Sequence, residues 1–163
     1  MKVFGVVGYK NTGKTGLMER LVADITARGL SVSTIKHAHH SFDVDHAGKD
    51  SYRHRIAGAS QVLLSSGTRW ALMSELRGAQ EAPLETLLAQ LDPVDLILIE
   101  GYKTDNHPKI ETYRKMTKGT LLASTDPTII GVAADCAVSV TQPVFDLDDT
   151  TKIADFILAQ VGL

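Results

Sequence analysis

The sequence predicts an α/β fold with a mainly parallel sheet, to which an antiparallel hairpin is added. Short apolar runs alternate with segments whose apolar residues recur at helical spacing, and this alternation is typical of parallel sheets covered by helices. A glycine-rich loop joins the first apolar run to the first helical segment. In the middle of the chain, two apolar runs flank a short turn rich in serine and glycine, which predicts the hairpin.

The first part of the chain follows a strand, loop, helix, strand order. Val3–Val7 is a short apolar run that ends before Gly8, so it predicts a buried strand. Gly16–Arg28 predicts a helix because its apolar residues recur at helical spacing. Ser31–Ile35 predicts a second strand, and a polar loop then leads into a helix over Lys49–Ala59.

The second part begins with the hairpin and returns to alternating strands and helices. The runs Gln61–Leu64 and Trp70–Leu76 are the two strands of the hairpin. Pro83 begins a helix that ends near Leu91, because proline suits the first position of a helix. The remaining predicted elements are the strands Val94–Ile99, Lys109–Tyr113 and Ile129–Ala134 and the helix Thr151–Val161.

The composition indicates one soluble domain over residues 1–163. Hydrophobic residues make up 44% and charged residues 22%, which is enough apolar material for a self-sufficient core. The formal net charge of -2 offers no basic surface for nucleic acid or for a membrane. The apolar run at the N-terminus is too short for a signal peptide or a membrane span, so we expect a cytoplasmic protein. The single cysteine, Cys136, excludes an internal disulfide.

Residues 8–15 form the strongest motif of the chain. They match G-x-x-x-x-G-K-[ST] and lie between a predicted strand and a predicted helix. The glycines let successive backbone N–H groups approach phosphate oxygens, and the following helix directs its positive end at the same charge. The motif predicts a P-loop nucleotide-binding protein with a three-layer fold. We assign to the nucleotide Gly8, Tyr9, Lys10, Asn11, Thr12, Gly13, Lys14, Thr15 and Gly16.

A nucleotide with Mg²⁺ also needs hydroxyl and carboxylate groups near this loop. Lys14 places its charge on the β and γ phosphates, while the Thr15 hydroxyl coordinates Mg²⁺. Glu100 ends a buried apolar strand, and ligands gather at the carboxyl ends of strands in such sheets. Asp45 and Asp50 belong to the segment after the second strand, at the same edge. The predicted metal residues are Thr15, Asp50 and Glu100, and the predicted catalytic residues are Lys14, Asp45, Asp50 and Glu100.

The segment 36–55 holds five of the six histidines. Neutral imidazoles bind transition metals, but no cysteine accompanies them and their spacing matches no zinc signature. Imidazoles and lysines next to a phosphate-binding loop also suit a second anion. We favour the anion and keep the metal as the alternative. The candidate residues of this second anion site are Lys36, His37, His39, His40 and Lys103.

Several segments are distinctive in combination with the loop 8–15. They are Lys36-His37-Ala38-His39-His40, Gly48-Lys49-Asp50-Ser51-Tyr52-Arg53, Ala57-Gly58-Ala59, Arg69-Trp70-Ala71-Leu72-Met73 and Leu98-Ile99-Glu100-Gly101-Tyr102-Lys103. Through these segments most of the chain resembles the molybdopterin-guanine dinucleotide biosynthesis protein B (MobB) family. The resemblance implies a small protein that binds GTP and Mg²⁺ and has weak GTPase activity.

The same resemblance implies partners. The protein would assist a molybdenum cofactor guanylyltransferase (MobA-like), the enzyme that attaches GMP to molybdopterin, and the second anion site becomes a candidate pterin site. Family members look like homodimers. The apolar hairpin around Trp70 is the predicted contact between the two copies, because this short chain has few helices to cover it.

The base of the nucleotide is indicated less directly. Guanine-reading P-loop proteins often use an Asn-Lys-x-Asp motif, and no such string occurs in this chain. GTP is therefore implied by the resemblance alone. Asp135 is the candidate acceptor for guanine, because it follows the predicted strand Ile129–Ala134 at its carboxyl end.

Three other functions are compatible with the same loop. A small-molecule kinase would need an arginine-rich lid, for which the sequence offers no obvious segment. A metallochaperone-type GTPase would use the histidines of segment 37–40 as metal carriers. A non-catalytic adaptor would bind nucleotide only to present a surface to its partner. We expect at most slow hydrolysis, because no strong catalytic base is evident in the sequence.

Overall fold

The computed structural model of the protein describes residues 1–38, 42–117 and 119–163. In chain order the elements are β1 (Lys2–Val7), α1 (Lys14–Ala27), β2 (Val32–Lys36), α2 (Asp50–Ile56), β3 (Gln61–Ser65), β4 (Trp70–Ser74), α3 (Leu84–Leu88), β5 (Leu96–Glu100), β6 (Lys109–Tyr113), β7 (Ile129–Ala134), β8 (Val144–Asp146) and α4 (Thr150–Val161). Single 3-10 turns occupy Lys115–Thr117 and Leu122–Ser124. Among the helices of the described residues, none is long and apolar enough to cross a lipid bilayer.

The described chain divides into two units. The larger unit consists of residues 1–37 and 88–163, and the smaller unit consists of residues 38–87. The smaller unit is therefore inserted between β2 and β5 of the larger one. The loop 8–15 and Glu100 both belong to the larger unit.

Six parallel strands form the sheet of the larger unit, in the order β2-β5-β1-β6-β7-β8. In β1, Val6 pairs with Glu100 at the end of β5 and with Ile110 in β6. On the other side of β5, Lys36 at the end of β2 pairs with Glu100 as well. This register brings the carboxyl ends of β2, β5 and β1 to one edge of the sheet, which is where open α/β sheets bind ligands.

The strands of this sheet contribute to two apolar clusters, because successive side chains of a strand point to opposite faces. Phe4 and Val6 pack in a cluster with α1 and α4, whereas Val7 packs in a smaller cluster with residues of β7. This packing fixes α1, and with it the loop that precedes α1, against the sheet. The two helices contribute to the first cluster Leu17, Leu21, Ile25, Ile153, Ile157 and Val161.

The smaller unit contains the predicted antiparallel hairpin, in which β3 and β4 pair over their full lengths. Val62 is buried, whereas Leu63, Trp70 and Leu72 are 60%, 61% and 42% exposed. The hairpin therefore presents an apolar surface to solvent. An exposed apolar surface of this kind is a common mark of a protein–protein contact.

The sequence prediction missed β8 and extended two helices too far. β8 has three residues and begins with the exposed Val144, so no buried apolar run announces it. The helix predicted from Pro83 to Leu91 is shortened to α3, and the helix predicted over Lys49–Ala59 is shortened to α2. Helix ends depend on capping and on tertiary contacts more than on apolar spacing, so these boundaries were wrong by a few residues.

Candidate functional site

The loop from Gly8 to Thr15 joins β1 to α1 at the carboxyl edge of the sheet. Gly8, Asn11 and Gly13 take left-handed φ values of 148°, 66° and 93°. A Cβ at Gly8 would lie 2.6 Å from the carbonyl oxygen of Thr112, so only glycine fits at that position. Gly13 is the N-cap residue of α1 and has no side chain to cap it. The first N–H groups of α1 therefore remain available to an anion.

The Lys14 side chain bends back over this loop. Its Nζ donates hydrogen bonds to the carbonyl oxygens of Gly8 at 3.1 Å and Tyr9 at 2.6 Å. Burial is the main cause that lowers the Lys14 pKa, the Glu100 carboxylate opposes this shift, and two neighbouring lysines lower the pKa further. The loop thus gathers positive charge at one place, as a site for a highly charged anion requires.

Thr15 and Glu100 meet at the start of α1. The Thr15 hydroxyl donates a hydrogen bond to Glu100 Oε1 at 3.1 Å, and Lys36 Nζ lies 3.5 Å from Glu100 Oε2. These three residues line part of an open cavity of about 360 Å³ between α1 and β2, together with Glu19. Thr15, Glu19 and Glu100 bring hydroxyl and carboxylate oxygens to this cavity. This donor set fits Mg²⁺, which prefers oxygen ligands.

The turn after β5 carries a positive charge toward the glycine-rich loop. Lys103 Nζ lies 4.9 Å from the centroid of the Tyr9 ring, within the range of a cation–π contact. The His37 ring stacks on Tyr102 with 4.5 Å between centroids. Tyr102 takes a left-handed φ of 49°, and a Cβ at the preceding Gly101 would lie 2.8 Å from the Cβ of His37. Two residues predicted for the second anion site thus lie close to this turn: Lys103 belongs to it, and His37, directly after β2, packs against it.

A buried pair of hydroxyl groups ties the glycine-rich loop to β6. Thr12 Oγ1 lies 2.7 Å from Thr112 Oγ1, and both residues are fully buried. Thr12 Oγ1 also donates to the Tyr9 carbonyl at 2.8 Å, and Thr112 Oγ1 lies 3.2 Å from the Val7 carbonyl. Sequence reasoning missed Thr112, because the two threonines are 100 residues apart in the chain.

The predicted catalytic residues Asp45 and Asp50 belong to the smaller unit. Asp45 is buried and accepts a hydrogen bond from Arg55 Nη2 at 2.9 Å. Asp43 and Glu75 contact the same guanidinium. Asp50 is exposed in the first turn of α2, where a carboxylate is favoured by the helix dipole. The roles of Asp45 and Asp50 toward a metal or a water molecule stay predictions.

The remaining predicted residues are placed in part. Asp135 directly follows β7, and its Oδ1 accepts the backbone N–H of Lys115 at 2.8 Å. Its role toward guanine stays a prediction. His39 and His40 lie outside the described residues. In the part of the chain that the structure describes, no three His, Cys, Asp or Glu side chains are grouped as a metal site.

Comparison with known proteins identifies the relatives of this chain. The family model described as molybdopterin guanine dinucleotide synthesis protein B (MobB) matches residues 3–135. The chain belongs to the MobB family. A molybdopterin-guanine dinucleotide biosynthesis adapter protein from Haemophilus influenzae is 40% identical over 158 residues, which cover 95% of this chain and 86% of that protein. The protein of the same name from Escherichia coli is 38% identical over 154 residues, covering 92% and 87%.

A solved MobB structure has the same architecture as this MobB-family chain. The crystal structure of a MobB protein homolog from Bacillus stearothermophilus aligns with a TM-score of 0.73 at 30% sequence identity and covers 99% of both chains. The predicted fold class, a P-loop three-layer α/β fold with a mainly parallel sheet and an antiparallel hairpin, is thereby confirmed. The resemblance seen in the sequence is confirmed as well.

Proposed function

We propose that this chain binds GTP with Mg²⁺ at its glycine-rich loop and acts in the cytoplasm as an adapter for a MobA-like guanylyltransferase that attaches GMP to molybdopterin. Family membership supports the pathway, and the adapter role is taken from the names of the Haemophilus influenzae and Escherichia coli relatives. The observation that carries the nucleotide part is the 3.1 Å contact between the Thr15 hydroxyl and the buried Glu100 carboxylate at the loop.

Lys14, Thr15 and Glu100 have separate roles in this proposal. Lys14 already lies across the loop through Gly8 and Tyr9, so it meets the β and γ phosphates with little rearrangement. The Thr15 hydroxyl and the Glu100 carboxylate would hold Mg²⁺, directly or through its water molecules. When bound, Mg²⁺ supplies positive charge to the phosphate oxygens.

Hydrolysis of GTP is slow in this proposal. Glu100 is already engaged by Thr15 and Lys36, so it is a poor base for the attacking water. Slow hydrolysis agrees with an adapter role, because such a protein acts through its bound state rather than through turnover.

Two surfaces serve the proposed partners. The exposed apolar face of the hairpin, with Leu63, Trp70 and Leu72, forms the contact of a homodimer. Lys36 ends β2, His37 follows it, and Lys103 lies in the turn after β5; the two lysines offer positive charge to an anionic pterin, and the His37 imidazole lies beside them. The guanylyltransferase would approach this side, where both of its substrates are held.

Calorimetric titration with GTP and with ATP, each with Mg²⁺, tests the nucleotide part. We expect GTP to bind at least about tenfold more tightly than ATP, a difference of roughly 1.4 kcal/mol. Lys14→Ala should abolish the binding of both nucleotides. Glu100→Gln should make nucleotide binding less dependent on Mg²⁺. Lys2→Ala is the matched control, because Lys2 is exposed at the opposite end of β1. Equal affinity for GTP and ATP would contradict the proposed preference for guanine but not the proposed binding of a nucleotide at the loop.

The adapter part needs a separate assay. The rate at which a MobA-like guanylyltransferase forms molybdopterin guanine dinucleotide would be measured at limiting GTP, with and without this protein. We expect the wild-type chain to raise the rate and Lys14→Ala to leave it unchanged. A rate that does not respond to the wild-type chain would contradict the adapter role without touching nucleotide binding.

A further inference from the structure

Arg114 lies against the last glycine of the glycine-rich loop. It follows the final residue of β6, and a Cβ built at Gly13 would come within 3.2 Å of both its Nε and its Nη2. The same Cβ would lie 3.3 Å from the Cδ2 atom of Leu147, which is buried at the end of β8. The guanidinium, the glycine and the leucine therefore adjoin one another at the carboxyl edge of the sheet.

The Arg114 guanidinium has no protein partner among the described residues. Its Nε is buried and makes no hydrogen bond, and within the described part of the chain no carboxylate forms an ion pair with it. The other two arginines of the larger unit differ, since Arg20 donates a hydrogen bond to the Leu147 carbonyl and Arg28 donates one to the Asp155 carboxylate. A charged group that is partly withdrawn from water without a partner costs stability. A ligand that contacts the guanidinium would offset that cost.

The backbone around Arg114 is fixed, so the side chain starts from a set position. The Arg114 carbonyl accepts the Thr117 hydroxyl at 2.6 Å and the Thr117 N–H at 2.9 Å. Asp135 Oδ1 accepts the N–H of the next residue, Lys115, at 2.8 Å. Two residues before Arg114, Thr112 is tied to Thr12 of the loop. The backbone that carries Arg114 is therefore held, and Gly13 of the loop lies against its guanidinium.

We propose that the Arg114 guanidinium is the platform on which the purine base of the bound nucleotide stacks. This inference rests on the proposed nucleotide binding at the glycine-rich loop. Lys14 and the N–H groups of the loop serve the phosphates, and the nucleoside then extends along the carboxyl edge toward β6 and β7. A planar cation supported by Gly13 and Leu147 suits an aromatic ring, because guanidinium groups stack on π faces.

The platform has a consequence for specificity. Guanine and adenine both offer a π face, so stacking on Arg114 favours them equally. Any preference for guanine must then come from hydrogen bonds, for which Asp135 at the end of β7 is the candidate. Loss of the Arg114 side chain should therefore lower the affinities for GTP and for ATP by the same factor.

Calorimetry with three ligands tests the platform, namely GTP, ATP and inorganic tripolyphosphate, each with Mg²⁺. We expect Arg114→Ala to lower the affinity for GTP and for ATP about tenfold. Tripolyphosphate has no base, so its affinity should change by less than about twofold. Lys115→Ala removes the same charge from the next residue, which is exposed, and should leave all three affinities unchanged.

Arg114→Lys is the second variant and carries the test if Arg114→Ala fails to fold. This substitution keeps the positive charge but removes the planar guanidinium. We therefore expect the affinity for GTP to fall by about threefold or more. The platform is contradicted if both variants bind GTP as tightly as the wild-type chain, or if they lose as much affinity for tripolyphosphate as for GTP. Neither outcome contradicts nucleotide binding at the loop. Wild-type protein that binds neither GTP nor ATP overturns the proposed function together with the platform.

Discussion

At the scale of single residues, the hydroxyl pair of Thr12 and Thr112 offers a direct test of how the loop is held. Thr112→Val keeps the shape of the side chain and removes the hydroxyl that ties β6 to the loop, so the buried Thr12 hydroxyl keeps only the Tyr9 carbonyl as a partner. We expect the free energy of unfolding to fall by about 1–3 kcal/mol, as measured by urea denaturation. Thr141→Val, at an exposed position, should change it by less than about 0.5 kcal/mol. Equal effects of the two substitutions would contradict this account.

His107 makes the fold sensitive to acid. It lies in the loop between β5 and β6, and a Cβ at Gly5 would come within 2.6 Å of its Nε2. Neither ring nitrogen has a hydrogen-bond partner among the described residues. Burial, aided by the charge of Lys109, lowers the His107 pKa from 6.5 to about 4. The folded chain thus keeps this imidazole neutral well below the pH at which the unfolded chain protonates it.

The sign of the pH dependence follows from that difference. Between pH 6.5 and about pH 4 the unfolded chain binds more protons at His107 than the folded chain. The free energy of unfolding should therefore fall as the pH decreases through this range, by an amount of the order of 2–3 kcal/mol. His107→Phe should flatten the profile, and His54→Phe, at an exposed position, should not. An unchanged slope in the His107 variant would exclude this residue as the cause.

Residue contacts mark the limit of what the sequence predicts about the site. The loop residues were predicted because they match a sequence motif, and Glu100 was predicted because it ends a continuous apolar strand. Thr112 and Arg114 were not, because each contacts the loop from about a hundred positions away, Thr112 on β6 and Arg114 directly after it. Only the pairing of β6 beside β1 brings them to the loop, and no local pattern encodes that pairing.

At the scale of elements, α4 depends on a capping residue. Asp149 is its N-cap, and the carboxylate accepts the backbone N–H of Lys152 at 3.2 Å. Asp149→Ala should lower the free energy of unfolding at neutral pH, because the first turn of α4 loses its capping hydrogen bond. The hydrogen bonds from Lys152 lower the pKa of Asp149 below 3.8, so this contribution is lost only as the pH falls through that region. Thermal unfolding measures both effects, and Asp148→Ala is the exposed control.

The hairpin tests the proposed homodimer. Trp70→Ser combined with Leu72→Ser removes apolar surface from the exposed face of β4. We expect sedimentation equilibrium to give a dimer for the wild-type chain and a monomer for this variant, because apolar burial drives such contacts. Met116→Ser removes another exposed apolar residue, outside the hairpin, and should leave the dimer intact. A variant that remains dimeric would show that another surface makes the contact.

Elements were predicted where local patterns are strong and missed where they are not. The strands β5 and β7 are continuous apolar runs, and α4 has an apolar stripe, so each matches its prediction closely. β8 was missed because three residues with exposed ends carry no such pattern. Its place in the sheet comes from pairing with β7, which only the folded chain reveals.

At the scale of the whole molecule, nucleotide binding should stabilise the fold. A ligand that binds only the folded chain raises the free energy of unfolding by about 2.7 kcal/mol at a hundred times its Kd. We expect GTP with Mg²⁺ to raise the thermal midpoint accordingly, and EDTA to remove most of the gain. Lys14→Ala should show no gain at the same concentration. A midpoint that does not move at high GTP would contradict binding at the loop.

The position of β5 in the sheet also decides the order in which the molecule can assemble. β1 and β2 are made first, yet they are not neighbours, since each pairs with β5 instead. A nascent chain leaving the ribosome therefore carries the glycine-rich loop for some time with no sheet behind it. The loop gains its support, and Glu100 its place beside Thr15, in the same event. The nucleotide site is thus a late product of synthesis, completed when the second half of the chain joins the first.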